Sequence, residues 1–565
     1  FKREYATRSF NTVYASFDIW KGIKFASTFS YDFVMNKSRA WKDPRTSDGD
    51  DDNGRFSKDY NDITNMTWSN ILTYQTKIKK KHNLDLLAGY EINSKESDGL
   101  GTTISNFARW DKPEVNNGVV YQSMGGSNST TRIVSYITRA NYDYDNKYYL
   151  GASWRTDGSS RLARENRWGN FWSLSGAWRV SSESFMKPLQ NWLSDLKLRV
   201  SYGVNGTLPS SYYGYMGLSS LTSNYNDNPG IKQSQLENKE LTWETNYNFN
   251  SGIDLGFFDN RLNVTFEYYV RTTKNLLYSR PLSLATGFSS YLANIGKLQN
   301  KGYELEIRST NIETKDFRWS TSLNLGHNAN KILKLDGDLK QVTSGTSIHK
   351  VGLPYSTYYM IEFAGIDPVD GEPMFYKNTT DENGNLNKET TKDPRSAEKV
   401  ILQCADPTIT GGLGNSISYK WFDLNFNVNF SFGAWNYDGA AGKLEHGGDG
   451  TLNIPIYYRK RWQKEGDETS IERFVVGRSI SMTDYATTRR LYSGDYVRLK
   501  NLTFGFTLPK TWTRKVGIDN IRLYASGNNL LTWAAYDYID PESGSSPSWD
   551  TPPMRTYTFG LEVKF

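Results

Sequence analysis

The chain ends in Arg555-Thr-Tyr-Thr-Phe-Gly-Leu-Glu-Val-Lys-Phe565, a stretch in which apolar and polar residues alternate without a break. The apolar members share one parity: they are Tyr557, Phe559, Leu561, Val563 and Phe565. Successive side chains of a strand point to opposite faces, so this stretch predicts a strand with one apolar, aromatic face and one polar face. A strand in the wall of a membrane barrel needs both faces, because lipid lies on one side of the wall and water on the other.

The same alternation recurs along the whole chain. In 422–432 every second residue is apolar, and the residues between are Asp, Asn or Ser. Two further segments predict hairpins that turn at Asp145-Asn146 and at Asp259-Asn260. We therefore predict an all-β fold, a transmembrane antiparallel β-barrel. We expect about 17 strands of about ten residues in this chain, roughly two of them within 328–409.

Composition is consistent with this class. Aromatic residues make up 15% of the 565 residues, with 38 Tyr and 17 Trp, and barrels place such rings in girdles at both membrane interfaces. Mean hydropathy is -0.65, and no run of about 18 apolar residues occurs, which argues against a helical membrane protein. The net charge of +6 is spread along the chain, so we expect no nucleic-acid partner.

Connections between the predicted strands alternate in length. Short turns are predicted near residues 21–22, 79–83, 145–147, 259–260, 313–316 and 419–421. Long polar segments are predicted near residues 37–63, 98–129, 205–240, 274–299, 328–409, 434–495 and 531–553. This pattern is typical of periplasmic turns and extracellular loops, so we expect the long loops outside and the C-terminus in the periplasm. The connection 181–195 contains Phe185-Met-Lys-Pro188 and predicts a helical turn at the inner interface.

Signals for catalysis or metal binding are weak. Cys404 is the only cysteine, and the four histidines have no metal-ligand spacing. The acidic stretch Asp48–Gly54 resembles a calcium loop in composition but fails its spacing, and Asp367 and Asp370 lie in a segment that a Pro/Gly turn explains. No nucleophile elbow, paired-histidine motif or phosphate-binding glycine loop occurs. We therefore expect no enzyme activity, no cofactor and no metal.

Several segments resemble the SusC/RagA-type TonB-dependent outer-membrane transporters of Bacteroidetes. They are Arg155-Thr-Asp-Gly-Ser-Ser-Arg161, Asn166-Arg-Trp-Gly169, Trp192-Leu-Ser-Asp-Leu-Lys-Leu-Arg-Val-Ser-Tyr-Gly203, Asn294-Ile-Gly-Lys-Leu-Gln-Asn-Lys-Gly-Tyr-Glu304, Asp406-Pro407 with Gly411-Gly412, Tyr496-Val-Arg-Leu-Lys-Asn-Leu-Thr-Phe-Gly-Phe-Thr-Leu-Pro509, Gly527-Asn-Asn-Leu-Leu-Thr532 and Asp540-Pro-Glu542. They span residues 155–565 in the family's order. The terminal alternation also resembles the C-terminal signal that the barrel-assembly machinery reads on outer-membrane barrels.

The resemblance implies a 22-stranded barrel with an N-terminal plug and a TonB box. With about 17 strands counted, residues 1–565 are expected to be the C-terminal part of the barrel domain, without the plug, the TonB box and about five strands. The implied function is TonB-dependent import of oligosaccharides or peptides across the bacterial outer membrane. The implied partners are a SusD-like surface lipoprotein, TonB (through the N-terminal part), the barrel-assembly machinery, outer-membrane lipid and the glycan or peptide cargo.

Aromatic residues in or beside the predicted outer loops are the candidate substrate-binding residues. The set is Trp110, Trp168, Trp435, Tyr437 and Trp533, with Tyr536 and Trp549 as further members. Flat rings there are suited to stacking on sugars. Girdle anchoring and loop packing explain the same residues, and barrels carry such rings in any case.

Two other functional classes are alternatives to the transporter. A passive pore or a surface glycan-binding adhesin would have the same barrel wall, and sequence encoding a TonB box and plug would favour the transporter. A soluble multi-domain glycan-binding β protein would lack a lipid-facing stripe. We expect an integral outer-membrane protein, and the cargo stays open between glycan and peptide.

Overall fold

The computed structural model describes residues 1–221, 224–226, 228–335, 337, 339–381, 384–448, 453–476, 485–543 and 552–565. Although the two strands expected within 328–409 are not among them, seventeen strands of the described residues belong to one large sheet, and this number agrees with the predicted one. They are β1 (Lys2–Trp20), β2 (Ile23–Lys42), β3 (Arg55–Ile78), β4 (His82–Phe107), β5 (Gly118–Tyr144), β6 (Tyr148–Ser159), β7 (Trp168–Arg179), β8 (Leu193–Thr207), β9 (Glu244–Phe257), β10 (Leu262–Lys274), β11 (Lys297–Glu313), β12 (Phe317–Lys334), β13 (Ile409–Tyr419), β14 (Phe422–Phe432), β15 (Tyr496–Thr507), β16 (Asn520–Ala534) and β17 (Thr556–Lys564). Among the described helices, none is long and apolar enough to cross a membrane.

The chain divides into two compact units. One comprises residues 1–178, 199–249 and 273–295, and the other comprises residues 179–198, 250–272 and 296–565. In the first unit, β1 to β7 pair in sequence order, each antiparallel to the next. The predicted turn between β5 and β6 is confirmed, and both Asp145 and Asn146 have positive φ, 55° and 54°. Asp and Asn tolerate that conformation better than most residues.

The two faces of the first unit differ as the alternation predicts. One face of β5, β6 and β7 carries exposed apolar side chains: Tyr136, Tyr148, Leu150, Trp154, Trp172, Leu174 and Trp178. The opposite face carries cross-strand polar contacts, such as Gln75 Nε2 to Asp85 Oδ2 at 2.6 Å and Ser153 Oγ to Ser173 Oγ at 2.6 Å. Exposed rings on one side and hydrogen-bonded polar groups on the other are suited to lipid outside and water inside.

Strands β2 to β5 are longer than expected, with 20 to 27 residues. Most of the predicted loop 37–63 and much of the predicted loop 98–129 therefore lie in strands. Only residues 43–54 and 108–117 of these two segments lie outside the strands. On the apolar face of β5, the residues beyond Val134 are Arg132, Thr130 and Asn128. The prediction failed here because backbone pairing continues where both faces are polar, so the alternation no longer marks the strand.

In the second unit, β11 to β17 also pair in sequence order. The apolar residues of β14 share one face, and five of the six pair with apolar residues of β15, for example Phe422 with Phe506 and Leu424 with Phe504. The opposite face contains polar contacts, including Arg522 Nη2 to Asp423 Oδ2 at 2.7 Å. The C-terminal alternation is confirmed as a strand, since Phe559 and Leu561 of β17 are 83% and 62% exposed on one face.

The segment 335–408 differs from the prediction, because its described strands do not join the large sheet. They form two small sheets: Gln341–Ser344, Ser347–Lys350, Thr357–Ile361 and Lys399–Cys404 in one, and Phe363–Ile366, Pro373–Tyr376 and Thr390–Thr391 in the other. Four of the five residues of Thr357–Ile361 are buried. This strand is covered on both faces and therefore has no lipid-facing side. The sequence pattern did not distinguish such a buried strand from a strand of the large sheet.

The remaining elements lie in the connections. The described short strands are Leu218–Ser220, Lys232–Gln235, Leu277–Pro281, Ser290–Asn294, Trp435–Tyr437 and Leu491–Ser493; the α-helices are α1 (Gly439–Leu444) and α2 (Lys510–Thr513); the 3-10 helices are Val115–Asn117, Val180–Ser182, Ser184–Leu189, Leu284–Thr286, Pro394–Ser396, Ile456–Lys460, Thr488–Arg490, Arg514–Val516 and Pro541–Ser543. The helical turn predicted within 181–195 is confirmed. Its Met186 packs with Val180 and Leu193 in a small buried cluster.

Candidate functional site

A cavity of about 680 Å³ lies among the long connections of the second unit. Its wall comes from α1, from the start of the 3-10 helix Ile456–Lys460, and from the segments 536–543 and 552–553. The lining is mostly apolar, with Ala, Leu, Ile and Pro side chains between three tyrosines and three carboxylates. Concave, largely apolar cavities with a few placed polar groups are typical of small-molecule sites.

The three tyrosines form an angled aromatic corner. The ring of Tyr538 lies 5.3 Å from that of Tyr536 and 5.6 Å from that of Tyr457, at interplanar angles of 54° and 59°. Tyr536 also stacks on Tyr492, with ring centroids 3.7 Å apart and planes 11° from parallel. Tyr492 therefore covers one face of Tyr536, and Tyr536 is one of the residues that line the cavity. Tyr538 is 71% exposed, so its ring is open to a ligand.

Two of the tyrosine hydroxyls are already held by the protein. Tyr457 donates to Glu445 Oε1 at 2.5 Å, and Tyr536 donates to Asp438 Oδ2 at 3.1 Å. Asp438 also accepts from the backbone N–H of Ala441 at 2.8 Å, as the N-cap of α1. Burial raises the pKa of both Tyr457 and Tyr536, and the neighbouring carboxylates add to the effect. Both hydroxyls thus stay protonated and fix the angles of their rings.

The acidic side of the cavity is fixed by a buried arginine. Arg498 of β15 is 2% exposed; its Nη2 donates to Asp540 Oδ2 and its Nη1 to Glu542 Oε2, both at 2.6 Å. Lys500 pairs with the same Glu542 oxygen at 2.6 Å. Two motifs quoted for the family resemblance, around Arg498 and at Asp540-Pro-Glu542, therefore meet here. The pairing anchors the segment that carries Tyr536 and Tyr538 to a strand of the large sheet.

A buried ionic network supports the other side. Glu472 is fully buried; it accepts from Arg489 Nη1 at 2.5 Å and from the hydroxyl of Tyr458 at 3.1 Å. Arg490 donates to Glu445 Oε2 at 3.2 Å, and the same carboxylate holds Tyr457. Since buried charges require partners, this network is expected to hold the wall rigid.

Of the aromatic residues predicted from sequence that the structure describes, only Tyr536 lines this cavity. Trp435 and Tyr437 pack against the buried cluster of Tyr358, Met360 and Leu491. Both lie in the short strand that pairs with Leu491–Ser493, and their role in binding stays a prediction.

Trp168 lies on the apolar face of the strands of the first unit, and Trp533 lies on the apolar face of the strands of the second unit. Trp168 stacks with Tyr136, with centroids 6.1 Å apart, and Trp533 pairs with Val497 in register. This placement is typical of the girdle role considered for both. Trp110 is 49% exposed, and the Arg45 guanidinium lies 3.5 Å from its ring centroid; its role in binding stays a prediction. Trp549 lies outside the described residues.

The tyrosines Tyr457 and Tyr538 were missed by the sequence analysis. Both lie in long connections without a regular pattern, and only proximity in the fold groups them. A usable signal was the spacing Tyr536-x-Tyr538 immediately before Asp540-Pro-Glu542, which places two rings beside carboxylates.

The two acidic stretches considered for metals have other partners. Lys392 Nζ lies 2.6 Å from Asp367 Oδ2 and 2.7 Å from Asp370 Oδ2, so an ammonium occupies the place that a cation would take. In the loop after β2, Asp52 pairs with Arg55 at 2.7 Å. Among the described residues, no group of three or more potential metal ligands converges.

A second, polar cavity of about 350 Å³ lies on the polar face of the second unit. Its lining includes Arg308, Ser322, Asn425 and Asn427. Amide, hydroxyl and guanidinium groups on this face can hydrogen-bond water or a polar solute.

Known proteins with similar sequences support the same class. The family model "TonB dependent receptor-like, beta-barrel" matches residues 2–530. TonB-dependent receptor P3 of Formosa agariphila is 32% identical over 98% of this chain and 57% of its own length. TonB-dependent receptor SusC of Bacteroides thetaiotaomicron is 30% identical over 77% of this chain and 44% of its own length. The chain thus spans little more than half the length of P3 and less of SusC.

Solved structures agree. The structure of the RagAB peptide transporter matches 100% of this chain and 62% of that chain, with a TM-score of 0.88 at 27% identity. The ferripyoverdine receptor of the Pseudomonas aeruginosa outer membrane matches with a TM-score of 0.51 at 12% identity, which supports the fold alone. From the match over 2–530, this chain belongs to the family of TonB-dependent receptor-like β-barrels of the outer membrane.

Proposed function

We propose that this chain forms the wall and outer loops of a channel for TonB-dependent import of oligosaccharides or peptides. In this proposal it is the channel subunit of a complex with a SusD-like surface lipoprotein. The likeness to SusC and to the RagAB peptide transporter supports the proposal. The chain covers only part of those proteins, and the proposal assigns the plug and the contact with TonB to the full-length protein.

The observation that carries the proposal is that the strands of each unit have two chemically different faces. In the first unit, Trp154 is exposed on one face and Ser153 contacts Ser173 on the other. In the second unit, Phe422 is exposed on one face and Arg522 pairs with Asp423 on the other. A wall of this kind separates lipid from an aqueous path. The cavity with Tyr536 and Tyr538 lies among the long connections, where selectivity for a cargo is expected to reside.

The lengths of the connections support an orientation in the membrane. Short turns, such as 145–147 and 420–421, alternate with long ones, such as 43–54 and 433–495. We infer that the long connections are extracellular, that the C-terminus is periplasmic, and that the stripe ending at Phe565 is read by the barrel-assembly machinery.

Uptake by the native host tests the proposal. Cells carrying the full-length gene should accumulate a labelled cargo oligosaccharide or peptide, and deletion of the gene or of TonB should abolish accumulation. Uptake that depends on the gene but not on TonB would indicate a passive pore. Surface binding without uptake would indicate an adhesin, and either result would overturn the proposal.

A further inference from the structure

We propose that the cavity of Tyr457, Tyr536 and Tyr538 binds an uncharged sugar ring of the cargo, and that it discriminates against anionic sugars and against peptide carboxyl termini. This inference rests on the proposed import function, because it assigns the chemistry of a cargo. It is more specific than that function, which leaves glycan and peptide open.

The rings of the aromatic corner lie at defined angles to one another. Tyr538 is inclined by 54° to Tyr536 and by 59° to Tyr457, with centroids 5.3 and 5.6 Å away. The hydroxyls of Tyr457 and Tyr536 are bound to Glu445 and Asp438, so these two rings cannot turn freely. What the corner offers to a ligand is therefore ring surface at fixed angles. Ring surface of this kind fits the C–H face of a pyranose, which is apolar although the ring edge is polar.

The charged side chains of the described cavity lining are acidic. The described residues that line the cavity include three carboxylates, Asp438, Asp540 and Glu542, but no Lys or Arg. Arg498 and Lys500, which contact two of them, already make ion pairs at 2.6 Å. Among the described lining residues, a ligand carboxylate or sulfate would therefore find no free cation, and it would lie close to Asp438, whose carboxylate accepts hydrogen bonds from Tyr536 and Ala441; like charges at short range are unfavourable.

The carboxylates of the cavity can also accept hydrogen bonds from a ligand. A carboxylate oxygen accepts more than one hydrogen bond, so Asp540 and Glu542 retain acceptor capacity while they pair with Arg498. Sugar hydroxyls are donors that need such acceptors. Because Arg498 and Lys500 already balance the charges of Asp540 and Glu542, a cationic ligand gains less from these two groups than it would from a free carboxylate. Apolar ring surface next to neutralised acceptors thus favours a neutral polyol over either kind of ion.

The cavity has the size and the support of a preformed ligand site. A volume of about 680 Å³ lies within the range of ordinary ligand sites, about 300–1,000 Å³. The ion pairs of Arg498 on one side and of Glu445 and Glu472 on the other hold the walls. A preformed site loses little free energy in ordering itself around a ligand.

Calorimetric titration of the purified full-length receptor, in complex with its surface lipoprotein, tests this inference. The probes are neutral gluco-, manno- and xylo-oligosaccharides, oligogalacturonates, sulfated galactan oligosaccharides and short peptides. We expect binding of at least one neutral oligosaccharide. Tyr538→Ala should raise its Kd about tenfold, which corresponds to about 1.4 kcal/mol, while Tyr538→Phe should stay within about twofold because the ring makes the contact.

Tyr121→Ala is the matched control, because Tyr121 is 63% exposed but lies on β5 in the other unit. It should leave the Kd unchanged. Preferential binding of anionic oligosaccharides or peptides, no binding of any neutral oligosaccharide, or a Kd that Tyr538→Ala leaves unchanged would each overturn the inference.

Accumulation of the labelled probe in the host separates this inference from the proposed function. Tyr538-dependent binding of a neutral sugar that is not imported through TonB would overturn the import function and leave the cavity assignment. TonB-dependent import of an anionic glycan or a peptide would overturn only the cavity assignment.

Discussion

Replacement of Phe426 by arginine probes the lipid-facing stripe where its effect should be largest. The apolar stripe of β14 extends from Phe422 to Phe432. At a rise of about 3.3 Å per residue, ten residues span about 33 Å, and a strand tilt of about 40° converts this into about 25 Å of depth. That value matches the height of about 25 Å expected for the apolar band of a barrel. Phe426 lies about 10 Å inside one edge, close to the middle.

An arginine at the midplane of the lipid face costs about 2–4 kcal/mol, whereas one near the interface costs about 0–1 kcal/mol. We therefore expect Phe426→Arg to lower the free energy of unfolding by about 2–4 kcal/mol and Phe422→Arg by less than about 1 kcal/mol. Asn427 lies on the opposite face and lines the polar cavity of about 350 Å³. Asn427→Arg should therefore stay within about 0.5 kcal/mol of the parent protein.

Reversible urea unfolding of the full-length receptor in lipid bilayers, followed by tryptophan fluorescence, measures these differences. At a slope of about 2 kcal/mol per M, the midpoint for Phe426→Arg should fall by about 1–2 M. Equal effects of Phe426→Arg and Asn427→Arg, or a larger effect of Asn427→Arg, would refute the assignment of the two faces.

Three further outcomes follow from individual contacts. Arg498→Met leaves two carboxylates without their buried partner and should cost about 1–3 kcal/mol; limited proteolysis should then cut the segment 535–543 faster, and unchanged cleavage would show that the pair does not anchor it. Hydrogen bonds from Arg45 lower the pKa of Asp43 to about 2, so this contact stabilises the loop above the ordinary pKa of 3.8 and is lost as the pH falls through about 2. Arg45→Ala should return the pKa of Asp43 towards 3.8 in a carboxyl-detected NMR titration, and a pKa that stays near 2 would contradict this cause. Deletion of Phe565 should reduce the yield of heat-modifiable, membrane-inserted receptor, and a normal yield would show that the terminal stripe is not read during assembly.

The strands of the large sheet were predictable because each strand carries its own alternating pattern in the sequence. Lipid on one face and water on the other impose a period of two on each strand, and the stretches 422–432 and 556–564 carry that period in their sequence. Turns such as Asp145-Asn146 were predictable for a similar reason, since few residues adopt positive φ.

The remaining features depend on contacts between distant segments. The outer parts of β4 and β5 have polar residues on both faces, so their pairing has no sequence period. The candidate cavity joins Tyr457 to Tyr538 across 81 positions of the chain, through ion pairs such as Arg498 with Asp540. Sequence could name aromatic residues in long connections, but it could not distinguish a ring packed in a buried cluster, such as Trp435, from one that lines the cavity, such as Tyr536.

Accessibility along β14 tests the central claim most directly. Nitroxide labels placed one at a time at 422–432, in full-length receptor whose Cys404 is replaced by serine, report contact with lipid or with water. The account predicts that oxygen accessibility peaks at even positions and that accessibility to a water-soluble nickel chelate peaks at odd positions. Equal accessibility of neighbouring positions to the nickel chelate would contradict it, because both faces of the strand would then be in water.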